Sequence, residues 1–272
     1  MIIQHNISAI NSYRNLGINQ SALSKNLEKL SSGYKINRAG DNAAGLAISE
    51  SMRSQINGLN QASANAKDAI GLIKTAEGAL SEVHSMLQRM TTLAEQAANG
   101  TYNTVARGNI QEEYKALTKE IKRISENADF NGIKPLTTGK EMMMTFQIGP
   151  TSGETITVDK EDIYGKTVTA AMSLKLSVQN DAKNALKTIK TAIDDVSTYR
   201  AKLGAAQNRL EHTVKSLDIM SENITEAESR IRDTDMADEI TAFTKNNILL
   251  QAAQSMLAQS NAAPQGILSL LQ

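Results

Sequence analysis

Residues 59–97 read LNQASANAKDAIGLIKTAEGALSEVHSMLQRMTTLAEQA. Within them Leu59, Ala62, Ala66, Ala69, Ile73, Ala76, Leu80, Val83, Leu87, Met90, Ala94 and Ala97 succeed one another in alternating steps of three and four. A mean spacing of 3.5 residues held over about five heptads is the pattern of a coiled-coil seam. Many of the seam residues are alanine, which lets a facing backbone approach closely. Asn99-Gly100 follows at once and is the expected stop, because both residue types tolerate the left-handed conformation that ends helices.

Two more seams flank this one. Ile110, Tyr114, Leu117, Ile121, Ile124 and Ala128 form the second, with Asn131-Gly132 as its expected end and Pro135 beyond. The third runs through Leu186, Ile189, Ile193, Val196, Tyr199, Leu203, Ala206, Leu210, Thr213, Leu217, Met220, Ile224, Ala227 and Ile231. At 1.5 Å per residue that helix would be roughly 70 Å long. Between the second and third seams the period changes. Met142–Ile148 and Glu154–Val158 are short β-prone runs around the turn sequence GPTSG at 149–153, so 135–175 reads as a small hairpin and loop region. The expected fold is mainly α: an elongated antiparallel helical bundle with coiled-coil termini and a small β-hairpin region.

The two ends of the sequence have a different chemistry. Ile3, Ile7, Ile10, Tyr13 and Leu16 make one apolar stripe, continued by Leu23, Leu27 and Leu30. Met236, Ile240, Phe243, Asn247, Leu250, Ala253 and Leu257 make another. Arg14 is the only charged residue among the first 24, and none follows Lys245. A lone solvated helix normally carries a charged face. Neutral amides beside an apolar stripe instead suit helices that pair and then pack against further copies, since no unpaired charge has to be buried.

Composition excludes several functions. Lys+Arg and Asp+Glu each number 29 among the 272 residues, so net charge supplies no attraction for nucleic acid or an anionic membrane. There is no cysteine, hence no disulfide, thiolate metal site or cysteine nucleophile. Aromatic residues are 3%, without tryptophan, so Leu, Ile, Ala and Met must do the packing. No apolar run is long enough to span a bilayer, and the first residues lack the basic and apolar regions of a Sec-type signal. His5, His84 and His212 stand apart, with no HExxH, nucleophile elbow or phosphate loop beside them. Asp233, Asp235, Asp238 and Glu239 lack calcium-loop spacing; Thr234 or Asp235 as an N-cap with acids in the first turn explains them. Met142-Met143-Met144 reads as apolar filling, and Asn-x-Ser/Thr at Asn6, Asn99 and Asn223 as chance matches. No catalytic, cofactor-binding or metal site is expected, and the chain reads as a structural, self-assembling subunit rather than an enzyme.

Several long motifs resemble bacterial flagellin. LEKLSSGYKINRAGDNAAGLAISE at 27–50 and SRIRDTDMADEITAFTKNNILLQAAQSMLAQSN at 229–261 are similar to the family's two terminal hallmarks. TAEGALSEVHSMLQRMTTLAEQAANGT at 75–101 and RAKLGAAQNRLEHTVKSL at 200–217 resemble further family segments, so the likeness covers about 1–136 and 180–272. The resemblance implies an extracellular flagellar filament subunit, exported unfolded through the flagellar type III channel and polymerised into a homopolymer for motility. It implies an N-terminal D0 helix and spoke at 1–42, D1 helices at 43–134, a short variable region at 135–178, the long D1 C-terminal helix at 179–234 and the C-terminal D0 helix at 235–272. The middle leaves little room for outer domains.

On that resemblance Ile3, Ile7, Ile10, Leu23, Leu27, Leu30, Ile240, Phe243, Leu250 and Leu257 are the expected D0 core and subunit-packing residues. Ser31–Gly45 is the expected spoke, with an Arg38–Asp41 ion pair as a means of fixing it. Arg89, Leu93 and Glu113 match the residue types that Toll-like receptor 5 contacts, while Thr92 stands where many recognised members carry Glu. Implied partners are an export chaperone, the cap and the hook-filament junction proteins, with no nucleic acid and no membrane insertion. A junction protein would share the terminal seams but not the full set of internal motifs. A cytoplasmic coiled-coil adaptor would keep charged faces to its last residue.

Overall fold

The computed structural model describes residues 6–137, 143–160 and 174–270, with side chains described through residue 263. Five helices and one hairpin are present among them: α1 (Ile7–Ser32), α2 (Ala43–Ala98), α3 (Thr104–Asn127), β1 (Met143–Gln147), β2 (Thr155–Asp159), α4 (Gln179–Arg232) and α5 (Met236–Leu270). The protein divides into two compact units, Asn57–Ser221 and a second made of Met1–Ile56 with Glu222–Gln272.

Helix starts follow local chemistry. The first N–H groups of a helix have no intrahelical acceptor, and Asn or Asp side chains supply one. Asn6 accepts from Ala9 N–H at 3.1 Å, Asn42 from Gly45 at 2.9 Å, and Asn103 from Ala106 at 2.8 Å. Asp235 accepts from Ala237 at 2.9 Å and Asp238 at 3.3 Å, so it, not Thr234, caps α5. Asp238 and Glu239 then lie in the first turn, where the helix dipole favours acids.

In the 57–221 unit the seam at 59–97 is the core. Every seam residue from Leu59 to Ala97 is buried, none more than 2% exposed. Tyr114 and Ile121 of α3 are fully buried in the same core, as are Ile189, Val196, Tyr199, Leu203 and Leu210 of α4. Polar groups from two other segments seal the α2 C-terminus. Arg107 Nε and Nη2 donate to the Ala97 and Asn99 carbonyls at 3.0 and 3.1 Å, and Gln179 donates to the Ala98 carbonyl at 3.0 Å. These bonds satisfy carbonyls that the helix leaves orphaned.

Two expectations shift here. α3 stops at Asn127, with Ala128 already extended (φ −62°, ψ 106°), several residues short of the expected end. Asn131 and Gly132, at φ 51° and 81°, instead build a tight turn that joins Phe130 to Ile133 by a pair of 3.0 Å bonds. The third seam is also not uniform. Ile189, Val196, Tyr199, Leu203, Ala206, Leu210 and Leu217 are buried and Leu186, Ile193 and Thr213 half-buried, while Met220 is exposed and Ile224, Ala227 and Ile231 are half-buried.

The hairpin is antiparallel, with Met144 opposite Val158 and Phe146 opposite Ile156. Met144, Ile156 and Val158 point into the core while Met143, Thr145 and Thr157 face out, the alternation a half-buried sheet requires. Met142 lies outside the described residues. Pro150 in the hairpin turn sits against Gly58 of α2, where a Cβ would fall 2.9 Å from the Pro150 Cβ. Glycine is what permits that approach.

Candidate assembly interface

The terminal helices pair within the Met1–Ile56 and Glu222–Gln272 unit. Asn6 Nδ2 donates to the Ser260 carbonyl at 2.7 Å, Asn19 Nδ2 lies 3.4 Å from the Leu249 carbonyl, and Lys29 Nζ is 3.5 Å from Glu239. Rising numbers on α1 meet falling numbers on α5, so the pair is antiparallel. On α1 the residues half-buried or buried include Asn6, Ala9, Ser12, Leu16, Asn19, Leu23, Asn26 and Leu30. On α5 they include Phe243, Asn246, Asn247, Leu250, Ala253, Leu257 and Ser260. With Asn246 and Asn247 sharing one position, both sets follow the three-and-four spacing of a seam, but amides and small residues hold much of it.

That phase divides the expected residues between the inside of the pair and its outer face. Ile7, Ile10, Leu27 and Ile240 are not inside the helix pair. Ile7 is 61% exposed and Tyr13 70%, with Ile10, Leu27, Met236 and Ile240 also exposed. Leu23, Leu30, Phe243, Leu250 and Leu257 do lie between the helices, each half-buried. Ile3 falls outside the described residues. Ile18, Ile248, Leu249 and Met256 add exposed apolar surface beyond that stripe. The signal for the true phase is a heptad spacing in which Leu16, Leu23 and Leu30 alternate with small and amide residues, while the isoleucines at 7, 10 and 18 mark the outer face.

The segment joining α1 to α2 is fixed by backbone capping rather than by the expected Arg38–Asp41 pair. Asp41 Oδ2 accepts the N–H groups of Arg38 at 3.1 Å and Asn37 at 3.2 Å. These two bonds hold its carboxyl below the usual carboxylate range, the Arg38 bond first, with Lys25 and Arg38 charges adding to them. The Arg38 guanidinium turns away to Glu28 at 2.8 Å. Gly33 ends α1 at φ 75°, and its carbonyl accepts the Thr234 N–H at 3.0 Å. The Lys35 N–H donates to the Arg232 carbonyl at 2.7 Å. The Tyr34 ring receives the Arg232 guanidinium at 4.7 Å and that of Arg53 at 5.7 Å. Arg53 faces Glu228 at 3.7 Å and Arg232 faces Glu50 at 3.5 Å. No single residue type in 31–45 announces this cluster; its arginines come from α2 and α4.

In the other unit Arg89 and Glu113 form a surface ion pair at 2.8 Å, and the bond to Glu113 raises the Arg89 pKa. Leu93 is 1% exposed and belongs to the core, so its side group is not presented beside them. No cluster of three metal-ligating side chains occurs among the described residues, nor a helix apolar enough to cross a membrane. The His84 ring lies 3.0 Å from the Gln88 amide, one helical turn along α2.

Long helices with heptad cores and a terminal antiparallel pair showing apolar, charge-poor flanks define a structural helical protein. Similarity to known proteins makes this specific. Residues 3–141 match the bacterial flagellin N-terminal helical region and 186–271 the bacterial flagellin C-terminal helical region. The chain is 50% identical to a flagellin of Halalkalibacterium halodurans over 272 residues and 49% identical to one of Bacillus subtilis over 303, with full coverage of both proteins in each case. It is 45% identical to a flagellar filament core protein of Treponema maltophilum, again over the whole of both. The crystal structure of Bacillus cereus flagellin superposes with a TM-score of 0.52 at 32% identity, covering 57% of this chain and 88% of that one. A putative flagellar hook-associated protein from Vibrio parahaemolyticus shares the fold, with a TM-score of 0.59 at 12% identity, over 71% of this chain and all of that one. The chain belongs to the bacterial flagellin family, as a short member with a reduced middle. Its role is structural and flagellar, not enzymatic.

Proposed function

We propose that the protein self-assembles into an extracellular helical filament through the outer faces of α1 and α5. The observation that carries this reading is the set Ile7, Ile10, Leu27 and Ile240, exposed on a helix pair whose ends carry almost no charge. Leu23, Leu30, Phe243, Leu250 and Leu257 hold the pair together, and the outer set meets neighbouring copies. An isoleucine moved from water into such a contact contributes about 1.5–3 kcal/mol, and a filament repeats the contact at every subunit.

Residues 1–42 and 235–272 would then be the terminal D0 helices with the spoke, and 43–134 with 179–234 the D1 helices. Export in an unfolded state through the flagellar type III channel fits long helices without disulfides, with a chaperone, a cap and junction proteins as partners. Arg89 and Glu113 remain the surface residues for Toll-like receptor 5, without Leu93 as a direct contact.

Electron microscopy of the purified protein under salting-out conditions tests the assembly. Wild-type protein should form filaments. Ile10→Asp and Ile240→Asp, at positions already solvated in the single subunit, should leave its helix content unchanged and raise the critical concentration more than about tenfold. Polymerisation of the double variant at the wild-type concentration would overturn the reading.

A further inference from the structure

Three Asn-Gly pairs occur in the sequence, at 57–58, 99–100 and 131–132. The pair is chemically special because glycine, lacking a Cβ, leaves its nitrogen open to the preceding side-chain amide. The structure places the three pairs in very different settings.

Asn57-Gly58 lies inside α2, with Pro150 packed on the glycine. Helical geometry ties the Gly58 N–H into the backbone ladder and holds its nitrogen away from the Asn57 amide. Asn131-Gly132 sits in the closed turn between Phe130 and Ile133, and the Gly132 N–H donates to Asp129 Oδ2 at 3.1 Å. A backbone N–H held by a carboxylate resists deprotonation, because the bond is lost and the resulting anion would face a like charge. Asn99-Gly100 lies just past the end of α2, and both residues are exposed. Asn99 Oδ1 accepts the Thr101 N–H at 3.3 Å, a bond that bridges the Gly100 residue between them.

We propose that Asn99 is a site of spontaneous covalent ageing in the folded protein, converting to aspartate and isoaspartate while Asn57 and Asn131 stay intact. The Gly100 nitrogen, losing its proton to hydroxide, attacks Asn99 Cγ. A bond forms between that nitrogen and Cγ, the Cγ–Nδ2 bond of Asn99 breaks, and ammonia leaves with a proton from water. Water then opens the five-membered succinimide at either carbonyl, and no enzyme or cofactor takes part. The product carboxylate lies within the turn where Arg107 Nη2 donates to the Asn99 carbonyl, so a cation is at hand to offset the new charge beside a helix C-terminus. Polymerisation plays no part in this chemistry.

Incubating the purified protein in mildly alkaline buffer and mapping tryptic peptides tests it. The 90–107 peptide should gain about one dalton, localised by fragmentation to Asn99 rather than Asn103. Asn57 and Asn131 should react at least about tenfold more slowly, because each must first open locally. In denaturant the three should react at similar rates. Gly100→Ala should suppress reaction at Asn99; the added Cβ finds only Gln179 Nε2 at 3.9 Å, so the variant has room to fold. Equal rates at the three sites in folded protein, or an undiminished rate in Gly100→Ala, would overturn the proposal.

Discussion

Asp41 holds its loop by accepting two backbone N–H groups, and this makes the loop sensitive to acid. Its folded pKa lies below the unfolded value. A group depressed in this way contributes stability above its unfolded pKa and loses that contribution as pH falls through the folded one. Asp41→Asn should therefore flatten the acid side of the stability-pH curve, seen by thermal melts from neutral pH downward, and an unchanged acid limb would count against the capping role. Gly33 is a second single-residue dependence. At φ 75° it occupies the left-handed region with open space around it, so Gly33→Ala should cost about 1–2 kcal/mol through backbone conformation alone. Burial acts on Tyr114 in the opposite manner, pushing its phenol up to about 12. It should stay protonated in an alkaline spectrophotometric titration well past the range where exposed tyrosines ionise.

At the scale of elements, α2 and the α1/α5 pair obey the same heptad rule with different chemistry. The α2 seam is filled by Leu, Ile, Val, Met and Ala, which pack without leaving polar atoms to satisfy. Leu87→Ala, at a fully buried position, should cost about 2–5 kcal/mol in denaturant unfolding. The terminal pair places Asn6, Asn19 and Asn26 in its seam. Asn6 caps α1 and also reaches the Ser260 carbonyl, so Asn6→Ala should cost about 0.5–2 kcal/mol and loosen the end of α5 as well as the start of α1. Hydrogen exchange at both ends would read this. Faster exchange at α1 alone would show the cross-helix bond to be dispensable.

For the molecule as a whole, burial is uneven. Nearly all large apolar residues that reach full burial lie in Asn57–Ser221, while the unit of the two termini buries chiefly Ile36, Asn26, Ser49 and Glu228. Regions with few buried apolar contacts open at low free energy. Trypsin should cut at exposed Arg14 in the free subunit long before it cuts the seam at 59–97, and assembly should protect Arg14. Equal protection in both states would mean the ends are already stable alone. The charge-free stretch after Lys245 needs a protease of other specificity.

The sequence by itself determined the helices, the hairpin and the family, because each is written in local spacing or in long contiguous motifs; the Asn6, Asn42 and Asn103 caps and the end of α3 were not legible in it. Leu59 to Ala97 could be read directly since every member is apolar and falls in one phase. Only the tertiary structure decided which face of α1 meets α5. The choice there weighs Ile7 and Ile10 against Asn6, Ala9 and Asn19, and the amides prevail within the pair because they find carbonyls across the seam. The same holds for Leu93, which stands outside the seam spacing of α2 and yet is buried. Side-group polarity sets which residues can form a seam; three-dimensional pairing sets which ones do.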